Sequence, residues 1–122
     1  MDLIAHMKRQ RAFSKATFGP GERTAGICDH IRKDLNEIQS AQSRVTRAEE
    51  YVDVVLLALD GLWRAGLQPD EIAEAIEAKQ TQNEMHNWPD WRTAPTDQAT
   101  EHIRTDKSNV VQPLRKSGKK EH

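Results

Sequence analysis

The chain has 122 residues, of which 30% are charged and 36% are hydrophobic, and its net charge is −1. This length allows one hydrophobic core, and the apolar fraction is too high for a wholly disordered chain. The composition indicates a small, soluble, cytoplasmic protein, because the sequence lacks an apolar stretch of the roughly 20 residues that cross a bilayer, a secretory signal and, with the single Cys28, an internal disulfide framework.

The hydrophobic pattern predicts an all-α bundle of four long helices and one short C-terminal helix. The expected helices cover residues 2–16, 24–40, 46–65, 69–87 and 96–104. Gly-Pro-Gly at residues 19–21 ends the first helix, and Gly66 ends the third. The third helix is apolar nearly all round, so we expect it in the middle of a bundle or of an oligomer.

The C-terminal end is basic, whereas the rest of the chain is acidic. Residues 103–122 contain six Lys or Arg and two acidic residues, a net charge of +4, and residues 1–102 carry −5. We interpret residues 1–104 as the folded domain and residues 105–122 as a disordered tail. A tail that binds nucleic acid is the alternative, disfavoured because the tail has no aromatic residue to stack on a base.

Two acidic pairs, Asp34 with Glu37 and Glu50 with Asp53, flank the short turn between the second and third helices. A spacing of three places both carboxylates of a pair on one helix face. Antiparallel packing across a short turn then brings the two pairs to the same level. Four converging carboxylates repel one another, so the pattern predicts a divalent cation among them, Mg²⁺ or Mn²⁺ rather than zinc.

Solvated surface charge remains the alternative for either acidic pair taken alone. It is disfavoured for both together, because Asp53 lies inside an apolar run, where an unpaired charge is costly. Asp60 follows on the same face as Asp53, and we expect it to pair with Arg64, four residues later, rather than to join the cation site.

A cation site that acts on phosphates also needs donors for the remaining phosphate oxygens. Lys79 and Asn83 are four residues apart on the fourth helix, and Arg23 follows the Gly-Pro-Gly loop. These three residues are the candidates, although Lys79 and Asn83 in isolation are also typical of an ordinary polar helix face.

The order of these motifs resembles the MazG-like all-α nucleoside triphosphate pyrophosphohydrolases. Their usual E-x-x-E motif is D-x-x-E here, because Asp34 replaces the first glutamate. The segments FSKATFGPGERTAGICDHIRKDLNEI and AEEYVDVVLLALDGLWRAGLQPDEI, with the W-P-D-W turn, are similar to the phage and bacterial branch called dATP/dGTP diphosphohydrolases. The resemblance covers about residues 6–104. One departure is His86, where the family typically has a basic residue.

The resemblance implies hydrolysis between the α and β phosphates of a purine nucleotide, with dGTP or GTP as the preferred substrate, giving the monophosphate and pyrophosphate. Asp34, Glu37, Glu50 and Asp53 would hold the cation, and Glu37 and Asp53 would act in catalysis, Glu37 by orienting the attacking water. The phosphate contacts would come from Lys79, Asn83 and Arg23.

The base-binding residues are less well defined. Phe18, Gly19 and Trp63 are the candidates, and core packing is the alternative for each aromatic. Specificity for dATP or dUTP remains open, as does a role in supplying dGMP for DNA that contains 2-aminoadenine.

The resemblance also implies a homo-oligomer, a dimer or a dimer of dimers, with no membrane partner. The competing hypothesis is a catalytically silent bundle that binds nucleic acid or a protein through its basic tail.

Overall fold

A computed structural model describes residues 1–104, and the basic tail predicted at residues 105–122 lies outside the described residues. The fold is all-α, as predicted. The α-helices are α1 (Leu3–Phe18), α2 (Thr24–Ser40), α3 (Arg44–Arg64) and α4 (Pro69–Met85), followed by a 3₁₀ turn at Trp91–Thr93. Within this described part, the helices are all too short or too polar to span a bilayer.

The helix ends follow from local sequence signals. Asp2 caps α1 by accepting hydrogen bonds from the amides of Ile4 and Ala5, and Ser43 caps α3 by accepting one from Thr46. These caps satisfy amide groups that have no partner within a helix. Gly66 follows the end of α3 with φ +107°, a left-handed conformation that glycine adopts without steric cost.

The predicted helix at residues 96–104 is wrong, because the structure has no helix there. The amide of Ile103 donates to the carbonyl of Asn87 at 2.6 Å, and the ring of His102 stacks on that of His86 at 4.0 Å. A helix of nine residues is marginal in water. The preference of Thr96 for a helix start does not outweigh these contacts.

The described residues form two compact units, one of Met1–Ala73 and one that begins at Glu74. The core of the first unit is the contact of Met7, Leu59 and Ile72, around which Leu3, Leu62, Trp63 and Leu67 pack. Met7 and Ile72 are fully buried. This core joins α1 to α3 and to the first turn of α4.

One face of α3 is left uncovered by the other described residues. Tyr51, Val52 and Val55 are each more than half exposed. The described residues therefore do not place this helix in the middle of a bundle, and the alternative, the middle of an oligomer, stays a prediction. Its apolar surface is available to a second molecule.

Candidate metal and substrate site

The loop of residues 41–43 joins α2 to α3 and brings acidic side chains of the two helices together. One carboxylate oxygen from each of Asp34, Glu50 and Asp53 lies within 4.8 Å of the other two. Asp34 comes from the second half of α2, and the other two come from the first half of α3. The convergence predicted from the two acidic motifs is therefore present for three of the four residues.

The environment of these carboxylates suits a hard cation. Asp34 is buried, and Asp34 Oδ2 and Glu50 Oε2 are buried oxygens without a hydrogen-bond partner in the described residues. A shared hydrogen bond with Glu37 is the main cause that raises the pKa of Glu50 from 4.5 to about 7. Burial and the charges of Glu37, Asp53 and Asp34 raise it further. Orphaned oxygens and mutual repulsion are what a divalent cation relieves, so the residues fit Mg²⁺ or Mn²⁺.

A cavity of about 260 Å³ opens beside this cluster, and we call it the acidic cavity. It combines carboxylates with apolar and aromatic side chains, a mixture found in small-molecule sites. The residues that line it are Gln10, Phe13, Ser14, Phe18, His30, Asp34, Asp53, Leu56, Leu57 and Asp60. Lys and Arg are absent from this described lining.

A buried arginine ties the Gly-Pro-Gly loop to α3. The Arg64 guanidinium donates to the carbonyls of Gly19 at 2.9 Å and Gly21 at 2.8 Å, to Ser14 Oγ at 2.9 Å and to Asp60 Oδ2 at 3.0 Å. The predicted Asp60–Arg64 ion pair is thus confirmed. Because Asp60 and Ser14 line the acidic cavity, this network holds one of its walls.

Glu37 is exposed and lies outside the set of mutually close oxygens, and it reaches the cluster through Glu50. Phe18 lines the acidic cavity, and the Arg23 guanidinium lies 5.0 Å from the centre of its ring. Gly19 supplies a carbonyl to Arg64 at φ +88°. Trp63 instead lines a separate cavity and donates its ring N–H to Asp60.

Lys79 and Asn83 lie on α4 in the second unit. Lys79 Nζ is exposed and 3.2 Å from Gln82 Oε1, and the Asn83 carbonyl accepts the ring N–H of Trp88 at 2.7 Å. His86 stacks on His102, and burial together with the neighbouring charges lowers its pKa. A neutral imidazole is therefore favoured at the position where the resemblance implies a cation.

The sequence reasoning missed His30, Ser14 and Gln10 as parts of this site. His30 Nε2 lies 3.8 Å from Asp34 Oδ1, and its spacing of four from Asp34 was the signal available. Ser14 and Gln10 reach the site only through tertiary contacts, since Gln10 Nε2 donates to the Leu56 carbonyl at 2.7 Å. Helix spacing could not have shown them.

A family model described as dATP/dGTP pyrophosphohydrolase matches residues 6–108 of the chain. The match includes all three residues of the carboxylate cluster and every described residue that lines the acidic cavity. No curated protein and no solved structure matches the chain.

Proposed function

Because the chain belongs to the dATP/dGTP pyrophosphohydrolase family, and is therefore a nucleotide pyrophosphohydrolase, we propose that it hydrolyses purine deoxynucleoside triphosphates between the α and β phosphates. The products are the monophosphate and pyrophosphate, and dGTP is the preferred substrate. The observation that carries the proposal is the set of three carboxylate oxygens within 4.8 Å beside a cavity that also presents aromatic side chains. The proposal includes a cytoplasmic location, where nucleotide pools are found.

Asp34, Glu50 and Asp53 would hold Mg²⁺ or Mn²⁺, with Glu37 as a fourth acidic side chain at the same site. When bound, the cation supplies neutralisation of triphosphate charge and a lowered pKa for a bound water. Without such compensation, the carboxylates of this cluster would repel a polyanionic substrate. The cluster therefore supports the proposal of a cation site.

The remaining roles fall to residues around the cluster. Exposed Glu37 orients or deprotonates the attacking water, because it is next to the cluster and open to solvent. Phe18, on the cavity wall beside Gly19, contacts the base. Arg23, Lys79 and Asn83 contact the phosphates. Trp63, predicted as a base contact, lines a separate cavity and is proposed instead to position Asp60 through their hydrogen bond.

We also propose that the enzyme is a homo-oligomer, a dimer or a dimer of dimers. The exposed face of α3 supports this, because Tyr51, Val52 and Val55 present contiguous apolar surface on successive turns. Size-exclusion chromatography with light scattering measures the assembly. Val52→Glu should convert it to a smaller species, whereas Met85→Glu, at an exposed apolar residue of α4, should not.

The experiment that tests the function is release of monophosphate and pyrophosphate from a panel of deoxynucleoside and ribonucleoside triphosphates. Each nucleotide is incubated with Mg²⁺, with Mn²⁺ and with EDTA. We expect metal-dependent release from dGTP and dATP and none with EDTA. Release of inorganic phosphate instead of pyrophosphate would contradict the proposed bond, and preferential turnover of dUTP would contradict the proposed base class.

A chain that is folded but inactive on every nucleotide would overturn the enzymatic proposal. The same preparation lacking residues 106–122 then tests the competing hypothesis, because loss of nucleic-acid or protein binding on truncation assigns the function to the tail.

A further inference from the structure

We propose that the chain has a second ligand site, a basic cavity on another face of α1, that binds a nucleoside polyphosphate without a metal ion. This cavity measures about 400 Å³ and lies between α1 and the segment that joins α3 to α4. Its walls include Lys8, Arg11 and Lys15 from α1, Trp63 from the end of α3, and Leu67 and Gln68 from the joining segment. The volume is in the range of about 300–1,000 Å³ that is typical of small-molecule sites.

The three cations of the basic cavity have no charge partner in the described chain. Among residues 1–104 no Asp or Glu oxygen lies within ion-pair distance of Lys8, Arg11 or Lys15. Their spacings of three and four place like charges on one helix face, where they repel one another. A bound polyanion would relieve this repulsion, and phosphate groups form strong charge-assisted hydrogen bonds with Lys and Arg.

The opposite wall is apolar and fixed in position. Trp63 is half-buried, its ring N–H donates to Asp60, and the Arg64 guanidinium lies 4.4 Å from the centre of its ring. Arg11 Nη1 donates to Gln68 Oε1 at 3.2 Å, which links the α1 wall to the joining segment. A wall held in this way loses little conformational entropy when a ligand binds.

The combination of three cations with an indole and Leu67 points to a ligand that has both phosphates and an aromatic base. Bases stack on aromatic side chains, and phosphates bind Lys and Arg. A phosphate chain alone would use only the α1 wall of the cavity. A nucleoside polyphosphate would use both walls.

The test is a binding titration of the full chain in EDTA, in which calorimetry and tryptophan fluorescence detect the bound ligand. EDTA removes the cation that the acidic cluster is proposed to hold, so this measurement does not depend on hydrolysis or on the proposed function. The probes are dATP, tripolyphosphate and deoxyadenosine. We expect saturable binding of dATP, weaker binding of tripolyphosphate and none of deoxyadenosine.

The variant is Lys8→Gln with Arg11→Gln and Lys15→Gln, and we expect it to weaken dATP binding at least tenfold. Its matched control is Arg9→Gln with Arg32→Gln and Lys33→Gln, which removes the same total charge from exposed positions outside the cavity and should change the affinity less than twofold. Circular dichroism verifies that both variants fold.

Absence of saturable binding, or equal loss in the two triple variants, would overturn the site and leave α1 with a solvated basic face. Equal affinities for dATP and tripolyphosphate would overturn the assignment of a nucleotide. Neither outcome touches the proposed hydrolysis, which is measured separately with a metal present.

Discussion

The acidic cavity and the basic cavity lie on two faces of the same helix and have opposite chemistry. Asp34, Asp53 and Asp60 line the first, whose described lining contains no Lys or Arg, and Lys8, Arg11 and Lys15 line the second, whose described lining contains no Asp or Glu. The acidic cavity needs a cation before a triphosphate can approach, whereas the basic cavity attracts phosphate directly. One helix thus separates a proposed metal-dependent site from a proposed metal-independent one.

Between the two cavities lies the contact of Asp60, Arg64 and Trp63. Asp60 lines the acidic cavity, Trp63 lines the basic one, and Arg64 pairs with the first and stacks on the second. Asp60 is therefore paired with a cation of its own helix, whereas Asp34, Glu50 and Asp53 have no Lys or Arg partner among the described residues. This difference separates a structural carboxylate from those that are proposed to hold the cation.

The largest effect is expected from Asp53→Asn. Loss of one cation ligand should reduce turnover on the order of 1,000-fold, since replacing an outer partner of a metal site already costs about 10–100-fold. The same change relieves repulsion in the metal-free chain, so its melting temperature should not fall. Pyrophosphate release and Mn²⁺ calorimetry measure the first effect, and thermal unfolding in EDTA measures the second.

The control for that variant is Asp29→Asn on α2. Asp29 is exposed and has only a long contact of 3.9 Å with Arg32, so turnover should stay within twofold. Equal activity of Asp53→Asn and the unmodified chain would remove the acidic cavity from the proposed mechanism.

Arg64→Gln should destabilise the fold by about 3 kcal/mol, because it leaves the buried Asp60 carboxylate without its charge partner. The side chains of Arg64 and Asp60 are 2% and 9% exposed. Denaturant unfolding followed by circular dichroism gives the free energy of unfolding.

The comparison is Arg92→Gln, which breaks an exposed pair with Asp90, where the side chains are 68% and 51% exposed. That change should cost less than about 1 kcal/mol. If both substitutions lowered the free energy of unfolding equally, the contact of Asp60, Arg64 and Trp63 would not be a special source of stability.

The raised pKa of Glu50 predicts a pH dependence for the acidic cavity alone. A folded pKa of about 7, above the ordinary 4.5, means that the metal-free fold keeps a proton that the unfolded chain releases. The free energy of unfolding of the metal-free chain should therefore fall as pH rises from about 4.5 to about 7. Cation binding requires the ionised carboxyl, so Mn²⁺ affinity should rise about tenfold between about pH 6 and about pH 8.

Thermal unfolding in EDTA between about pH 4.5 and about pH 7 measures the trend in stability. Mn²⁺ calorimetry between about pH 6 and about pH 8 measures the trend in affinity. Glu50→Gln should flatten the stability profile, and Glu49→Gln, an exposed neighbour, should leave it unchanged. A free energy of unfolding that rises with pH between about 4.5 and about 7 would contradict the raised pKa of Glu50.

The parts of the molecule that the sequence predicts are those that depend on local spacing. The i, i+3 acidic pairs and the three-residue loop at 41–43 were enough to bring Asp34, Glu50 and Asp53 together, and the i, i+4 spacing was enough for Asp60 and Arg64. The helix predicted at 96–104 failed because contacts of His102 and Ile103 with residues of another segment outweigh a weak local preference.

Tertiary features were beyond the sequence. Arg64 contacts the carbonyls of Gly19 and Gly21 across more than 40 residues, and a backbone acceptor leaves no mark on side-chain patterns. The basic cavity could not be predicted from the sequence either. Helix spacing places Lys8 and Arg11 on one face of α1, but Trp63, the aromatic side chain on the other wall, comes from α3. Sequence periodicity indicates which residues share a helix face, but not which other element packs against that face.

The smallest effect is expected from Phe18→Leu, which tests whether the acidic cavity receives the base. The substitution keeps an apolar side chain but removes the ring, and stacking of a base on an aromatic is worth about 1–3 kcal/mol. Because Phe18 is 53% exposed, we expect the lower end, a rise in KM of about fivefold with kcat unchanged. The control is Trp91→Leu, a second exposed ring with an arginine 5.0 Å from its centre, which should leave KM unchanged. A fall in kcat with KM constant would instead assign Phe18 to the loop geometry that Arg64 maintains, and the base would then have to bind against another wall of the acidic cavity.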